Sequence, residues 1–539
     1  MAVTRTPDPG LQHLDWEARI IALRQRFPCA VAPAENGAIA SLLIEDPSSL
    51  PALCRFLFWD LGCGFGGIIV EERSQSWEVR YVFLARFSGW IEVFARLPLA
   101  SPSLPSISAE VHAADWHERE AEDLFGIRFE NHPRLGDFVL HDQFWGEGLA
   151  PFRRGFDITK VQANGQHDVA WRPLLVVREP GAFAMPVGPV YEGGVGESVH
   201  FMLETVGEDV LRAVPRLFFN FRGVERIAEG KNTTETLLLA ERFAAKSSFA
   251  HSWAFCSAVE KVCGANIPER AKQLRILLSE LERLRHHAGV ITGICESTAL
   301  AVSAAHAGII EERLLRSSCS FAGHRYLFGL NTPGGLRTDF TDQQCHDLLK
   351  SVQSAVDQLK TLEDRLSFTS SFLDRLEEAG IVDPESARDL NLVGPVGRAS
   401  GCAHDLRREC PYGLYGHYQF KVPRETQGDG YARLRILFEE AYQSAQLIGQ
   451  VVASLESGPV RQPCQPGQAG AAFGWVEAPI GAALHWVRLN GAGLIERYRI
   501  ITPSFNNWLG FHVAVEDFAF QDFPIILATF GLSATECDR

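Results

Sequence analysis

A chain of 539 residues is longer than one hydrophobic core usually organises, so at least two folded units are expected. Hydrophobic residues make up 46% and charged residues 22%, a balance that excludes the disordered and collagen-like classes. With 51 Lys+Arg against 66 Asp+Glu the formal charge is -15, which argues against nucleic-acid binding and against a polybasic membrane anchor.

The first residues, Met1 to Gly10, lack the apolar core of a signal peptide, and a cytoplasmic placement is expected. Leu50–Leu61 reads as helix, and Gly66–Glu72, Trp77–Phe87 and Gly89–Leu97 read as strands rich in Val, Ile, Phe, Tyr and Trp. Gly62 to Gly67 spells G-x-G-x-x-G. A dinucleotide site needs a strand before those glycines and a helix after them. Here the order is reversed, so the segment is read as a flexible turn. A Pro/Ser-rich break at 101–108 precedes a helix opened by Asp115-Trp116-His117-Glu118, whose acids are read as exposed first-turn groups that suit the helix dipole. The pattern lapses between Phe152 and Gln166, which sets two domains, 1–165 and 166–539.

Beyond about residue 200 the chain reads as strongly helical. From Ile267 to Ile291 apolar residues recur every three or four positions, with charged groups on the opposite side. Ala288–Ile310 is the most apolar stretch, but Glu296 and His306 interrupt it, so a buried helix is expected and no transmembrane span. Asp339–Ala379 and Tyr431–Leu455 give two more long helices. After a Pro/Gly/Gln connector, Gly474–Pro503 alternates like a hairpin with its turn at Leu489-Asn490-Gly491. The expected fold class is α+β: an N-terminal α/β domain, then a mainly helical bundle with a small β portion. Of the twelve cysteines no two are spaced as C-x-x-C, and each is read as a small buried hydrophobe.

The string from Trp116 to Leu135, WHEREAEDLFGIRFENHPRL, resembles the signature of the C subunit of respiratory complex I and of its fused counterpart in formate-hydrogenlyase-type complexes. Further strings follow in that family's order: Phe221-Arg222-Gly223-Val224-Glu225, Pro268-Glu269-Arg270-Ala271, Glu280 to Leu284, Pro333-Gly334-Gly335, Arg398 to Gly401 with Asp405-Leu406-Arg407, and Gly428-Asp429. The chain thus resembles a fused C-plus-D large subunit, related to complex I and to group 4 NiFe hydrogenases of the hydrogenase-4 kind.

The resemblance implies a metal site that this sequence does not carry through. Relatives that are hydrogenases hold nickel and iron with four thiolates, a soft donor set. At those positions stand Ala244, Ser247, Ser533 and Glu536, with His251 matching the family's histidine and Cys537 one residue out of register. No metal or other cofactor is therefore expected on this chain. An iron–sulfur cluster is expected in a small partner subunit, integral membrane subunits are further expected partners, and a quinone is a candidate ligand. The placement implied is the cytoplasmic face of the inner membrane, reached through partners. The family's quinone-site tyrosine and loop histidine fall at Ala245 and Tyr191, and the histidine of its HRG segment falls at Phe221. This leaves Tyr191 and His200 as quinone-pocket candidates, while His287, like His200 and His251, is read first as a satisfied core histidine. Glu225, Lys246, His251, Arg398, Asp405 and Glu536 are the charge-coupling candidates, with Lys246 expected to enter the vacated cavity beside Glu225 or Glu536. The alternatives are a non-catalytic scaffold subunit and, third, an active nickel hydrogenase.

Overall fold

The computed structural model describes residues 16–27, 29–32, 38–141, 145, 149–161, 176–191, 198–464, 467 and 469–539. The fold class is α+β, and the chain divides into two compact units. The first is Met1–Leu174 with Arg216–Phe221 and Asp389–Asn391; the second takes Leu175–Pro215, Arg222–Arg388 and Leu392–Arg539. The expected boundary at 165/166 lies outside the described residues.

In the first unit a helix α1 (Trp16–Arg26) precedes a five-stranded sheet of β1 (Cys29–Ala32), β2 (Ala38–Ile44), β3 (Gly64–Glu72), β4 (Trp77–Ala85) and β5 (Gly89–Leu97), in the order β1-β2-β5-β4-β3. β3, β4 and β5 form an antiparallel meander, and β2 joins β5 in parallel. Every residue of β4, an interior strand between β5 and β3, is buried, as expected in a sheet covered on both faces. Leu50–Arg55 is helical, and Phe56–Asp60 continues it as a π turn. The glycine segment is no flexible turn beyond its start, because Gly64, Gly66 and Gly67 lie inside β3 at a bulge. A Cβ on Gly66 would stand 2.8 Å from the Trp90 ring, so glycine is there for close approach of an indole.

The helix α2 (Asp115–Phe125) corrects a second reading. Glu118 and Glu120 are buried, not exposed. Glu118 accepts from the Ile107 amide at 2.9 Å, the Ser106 hydroxyl at 2.6 Å and the Tyr81 hydroxyl at 3.4 Å. Asp123 accepts from the amides of Val139 and Leu140 at 2.7 and 2.9 Å, and Glu122 from that of Gly136 at 3.1 Å. Glu118, Glu122 and Asp123 are loop anchors: each satisfies backbone donors that would otherwise be unpaired.

In the second unit a four-stranded sheet comprises β6 (Phe183–Tyr191), β7 (Ser198–Val206), β8 (Asp209–Arg216) and β12 (Phe518–Ala519), in the order β12-β8-β7-β6. Here the chain past residue 200 is strand before it is helix. The helices that follow are α3 (Val224–Ala228), α4 (Thr233–Arg242), α5 (Ser248–Val262), α6 (Glu269–Ser297), α7 (Ala301–Ala322), α8 (Asp342–Ser367), α9 (Gly394–Ala399), α10 (Leu406–Glu409) and α11 (Gly430–Ala453). Three antiparallel strands, β9 (Gly470–Ala478), β10 (Gly481–Leu489) and β11 (Ile495–Ile501), precede α12 (Pro503–Ala514), α13 (Phe523–Phe530) and α14 (Ala534–Cys537). The turn at Asn490 is as expected, with one strand more than a hairpin.

The periodic apolar positions of α6 from Ala271 to Ile291 are buried, but so is much of its charged side: Arg275, Glu280, Glu282, Arg283, Arg285 and His287. α6 is an interior helix packed against α11, α7, α13 and α5, not an amphipathic surface one. α5 lies across β9 and β10, and a Cβ on Gly474 would stand 1.9 Å from the Ala254 carbonyl oxygen. Among the described residues no helix is long and apolar enough to cross a membrane.

Burial pushes the Glu118 carboxyl up to about 8, against the pull of its hydrogen bonds. The folded state therefore holds a proton there that the unfolded chain, titrating near 4.3, gives up. The Glu118 contribution is complete at acid pH and is lost as the pH rises through about 8. Glu118→Gln mimics the protonated form, so its thermal midpoint should fall less than that of the unaltered chain between pH 5 and 8. Parallel melting curves at both pH values check this.

Candidate functional site

The site is assembled at the N-terminus of α5. The first amides of a helix have no partner within it; those of Phe249 and Ala250 donate to Glu282 of α6 at 2.8 and 2.9 Å. Glu282 is buried, and burial outweighs these bonds, pushing its carboxyl up to about 7. This clamp fixes the turn that carries Ala244 and Ser247 and points His251 inward.

The C-terminal segment meets that turn. Ser247 Oγ donates to Glu536 Oε1 at 2.5 Å, the Ser504 amide donates to Glu536 Oε2 at 3.3 Å, and Ser533 Oγ accepts from the Glu536 amide at 3.4 Å. His251 Nε2 lies 3.4 Å from Glu536 Oε1, and its Nδ1 lies 3.0 Å from His485 Nε2. His485 Nδ1 in turn lies 2.6 Å from the Tyr498 hydroxyl. All five of Ser247, His251, His485, Tyr498 and Glu536 are buried. Burial pushes Glu536 up, but its bonds to His251, Ser247 and Ser504 win and leave it below the usual carboxylate range. Burial first, then the neighbouring His251, drive His485 well below the usual histidine range, so it is neutral. A neutral His485 has one N–H, so one of its ring nitrogens donates and the other accepts between Tyr498 and His251. The Glu536 carboxylate can only accept, so His251 Nε2 donates to it.

The four residues that the resemblance aligns with the hydrogenase thiolates do not have the donors that a nickel–iron centre needs. Ala244 offers a methyl group, the Ser247 and Ser533 hydroxyls are hydrogen-bonded, and Glu536 is a hard oxygen donor satisfied by nitrogen and hydroxyl partners. Cys537 is buried with its thiol 3.7 Å from the Ser533 carbonyl oxygen. Among the described residues no group of three or more His, Cys, Asp or Glu is arranged to hold a metal ion.

Glu225 sits beside this row but not with the expected lysine. Its carboxylate meets Arg497 at 3.1 Å, Arg499 at 3.2 Å and Arg539 at 3.3 Å, and it accepts from the Ile500 amide at 2.9 Å. Lys246 is exposed, so the expectation that its ammonium would replace a metal charge is overturned. The physical reason is that arginines on β11 and in the tail already supply Glu225, while hydrogen bonds supply Glu536.

Arg398 and Asp405 belong to a second buried network on α6, α9, α10, α11 and β9. Arg398 pairs with Glu440 at 2.6 Å, Glu477 at 2.9 Å and Asp405 at 3.6 Å. Arg407 pairs with Asp405 at 2.6 Å and with Glu280 at 3.0 Å. His287 Nε2 lies 3.0 Å from Glu440. Burial opposes ionisation of Glu440, but Arg398 outweighs it and holds that carboxyl well below its usual range. For Glu477 burial and the Asp405 charge prevail, pushing it up to about 7. His200 is half-buried on β7, and the Tyr191 side chain lies outside the described residues.

Sequence reasoning missed His485 and Tyr498 in the row, Glu282 as the clamp, and Arg283, Glu440 and Glu477 in the network. For the network the available signal was the charged side of α6, whose neighbours must be charged if that helix is interior. Removing the Glu225 carboxylate leaves arginines buried together. Glu225→Ala should therefore cost about 3–5 kcal/mol in denaturant unfolding, and Glu225→Gln less.

The comparisons with known proteins agree with this architecture. Residues 43–162 match the family described as respiratory-chain NADH dehydrogenase, 30 Kd subunit, and residues 309–468 match that described as its 49 Kd subunit. Formate hydrogenlyase subunit 5 of Escherichia coli (strain K12) is 28% identical over 91% of this chain and 87% of its own length. The D subunit of the NADH-quinone oxidoreductase of Campylobacter concisus is 32% identical over 51% of this chain and 68% of its own. A chain of the membrane-bound sulfane sulfur reductase, an archaeal respiratory membrane complex, superposes with a TM-score of 0.63 at 25% identity, covering 67% of this chain and 99% of that one. With both domains present in one polypeptide, the chain belongs to the fused 30-kDa/49-kDa family of large subunits found in complex I and in hydrogenase-4 and formate-hydrogenlyase-type assemblies.

Proposed function

We propose that this large subunit forms a metal-free pocket beside an iron–sulfur cluster of a small partner subunit and couples electron transfer to integral membrane subunits. It would work at the cytoplasmic face of the membrane, held there by those partners, with a quinone as the candidate acceptor. The observation that carries the reading is the row Tyr498–His485–His251–Glu536 with Ser247, polar and ionisable groups that are fully buried and mutually bonded; in this reading Ser247 and Glu536 stand at two of the positions that the resemblance aligns with hydrogenase thiolates. A pocket kept only as scaffold has no reason to retain buried titratable groups, since apolar side chains of similar volume are as stable or more so. Charge arriving on a neighbouring cluster would be felt strongly by such groups, because little solvent screens them.

The test uses the intact complex. His251→Gln and Glu536→Gln should slow electron transfer about tenfold or more, a barrier change of at least about 1.4 kcal/mol, and should shift its pH profile. Lys246→Ala, at an exposed position, should leave both near the unaltered level. Unchanged turnover and pH profile in assembled His251 and Glu536 variants would instead support the scaffold reading. Metal analysis of the same complex should find no stoichiometric nickel; stoichiometric nickel would overturn the metal-free pocket.

A further inference from the structure

The second buried network does not balance as a set of full charges. It holds four carboxylates (Glu280, Asp405, Glu440 and Glu477) and three guanidinium groups (Arg283, Arg398 and Arg407), with His287 beside them; none of the eight is more than 2% exposed. They join into one assembly. Arg398 reaches Glu440, Glu477 and Asp405, and Arg407 reaches Asp405 and Glu280. Arg283 lies 3.3 Å from Glu280 and 3.8 Å from Glu440. The charges that act most strongly on each carboxylate come from within this set. Fully ionised, with a neutral His287, it carries one negative charge too many. A surplus charge away from water is removed by binding a proton.

The donors decide where that proton sits. Glu280 accepts from the hydroxyls of Tyr415 at 2.6 Å and Ser444 at 2.7 Å as well as from its arginines. Asp405 is held by two nitrogens of the Arg407 guanidinium, at 2.6 and 3.0 Å, and by the Arg407 amide at 2.9 Å. Glu440 takes Arg398 Nε at 2.6 Å and His287 Nε2 at 3.0 Å. Glu477 has the weakest share: the Leu406 amide at 3.0 Å, and Arg398 Nη1 at 2.9 Å, a nitrogen that also lies 3.6 Å from Asp405. Arg283 Nη2 donates to the Glu477 main-chain carbonyl at 2.6 Å. Around that residue, the Tyr412 hydroxyl accepts from its amide at 2.8 Å, and Ala482 stands opposite it on β10. Lys261 of α5 donates to the Phe473 carbonyl at 2.8 Å, farther back along β9, and Glu409 of α10 meets His404 at 2.8 Å. For His287, burial first and then Arg283 and Arg398 outweigh Glu440 and keep the ring below the usual histidine range.

We propose that the network is a proton-binding site, which takes up one exchangeable proton on the Glu477 carboxyl and so matches its acids to its guanidinium groups. Uptake converts a carboxylate to a carboxylic acid and brings in one proton; nothing is oxidised or reduced. Burial, then the Asp405 charge, push this carboxyl up to about 7, so the site fills and empties near neutral pH. On the coupling reading above, negative charge arriving on a partner's cluster would fill the site and its departure would empty it. That use rests on the coupling reading; the site itself does not.

Infrared titration of the intact complex at rest involves no electron transfer, and it tests the site even where the coupling reading fails. Glu118 and Glu282 are also raised carboxyls and give bands of their own, so the Glu477 band is the one lost in Glu477→Gln. That protonated-carboxyl stretch should fade in the unaltered complex with a midpoint at about pH 7. In Glu440→Gln three acids face three guanidinium groups, so the same midpoint should fall by about one pH unit or more, while the Glu118 and Glu282 bands stay in place. No protonated-carboxyl band lost in Glu477→Gln, or an unmoved midpoint in Glu440→Gln, would overturn the proposal.

Discussion

A charged helix in the interior dictates its surroundings. α6 carries Arg275, Glu280, Glu282, Arg283 and His287 into the second unit, and none of them reaches water. Each buried charge needs a partner of opposite sign or a set of hydrogen bonds. Arg275 takes Glu260, Glu280 takes Arg407 with the hydroxyls of Tyr415 and Ser444, and Glu282 takes the open end of α5. The placement of α5, α10 and α11 around α6 follows from those pairings as much as from the apolar core between them.

The same constraint explains the site. A buried carboxylate at 536 must be satisfied by donors, and Ser247, His251 and the Ser504 amide supply them. The side chains here form a consistent set: the hydroxyl at 247 has its acceptor at 536, and the imidazole at 251 has its partner ring at 485. Glu225 shows the complementary solution, one carboxylate among three guanidinium groups and a backbone amide.

Much of this was legible in the residues. The strands β3, β4 and β5 of the first unit, the long helices and the turn at Asn490 follow from periodicity and turn chemistry, whereas β1 and β2 were not read; the meeting of 244–247 with 533–536 follows from the family strings. What was not legible has physical causes. β8 was missed because Arg212 and Pro215 blur its alternation on a half-exposed strand. Lys246 was misplaced because the string cannot tell which of several nearby cations will neutralise a carboxylate, and Arg497 and Arg499 lie on a strand whose register only the fold sets. His485 looked like one more strand residue until its pairing partner was known. The signature acids around Glu118 were assigned to solvent because a first-turn position says nothing about the loops that return over it.

One close approach bears on how the row of donors holds its geometry. Gly474, on which α5 rests without clearance, is the residue directly opposite His485 in the β9–β10 ladder. The helix that bears one imidazole is therefore seated on the rung that bears the other. Close seating of the helix on that rung brings His251 and His485 side by side, so a side chain added at 474 would part the two rings by lifting the helix off the sheet.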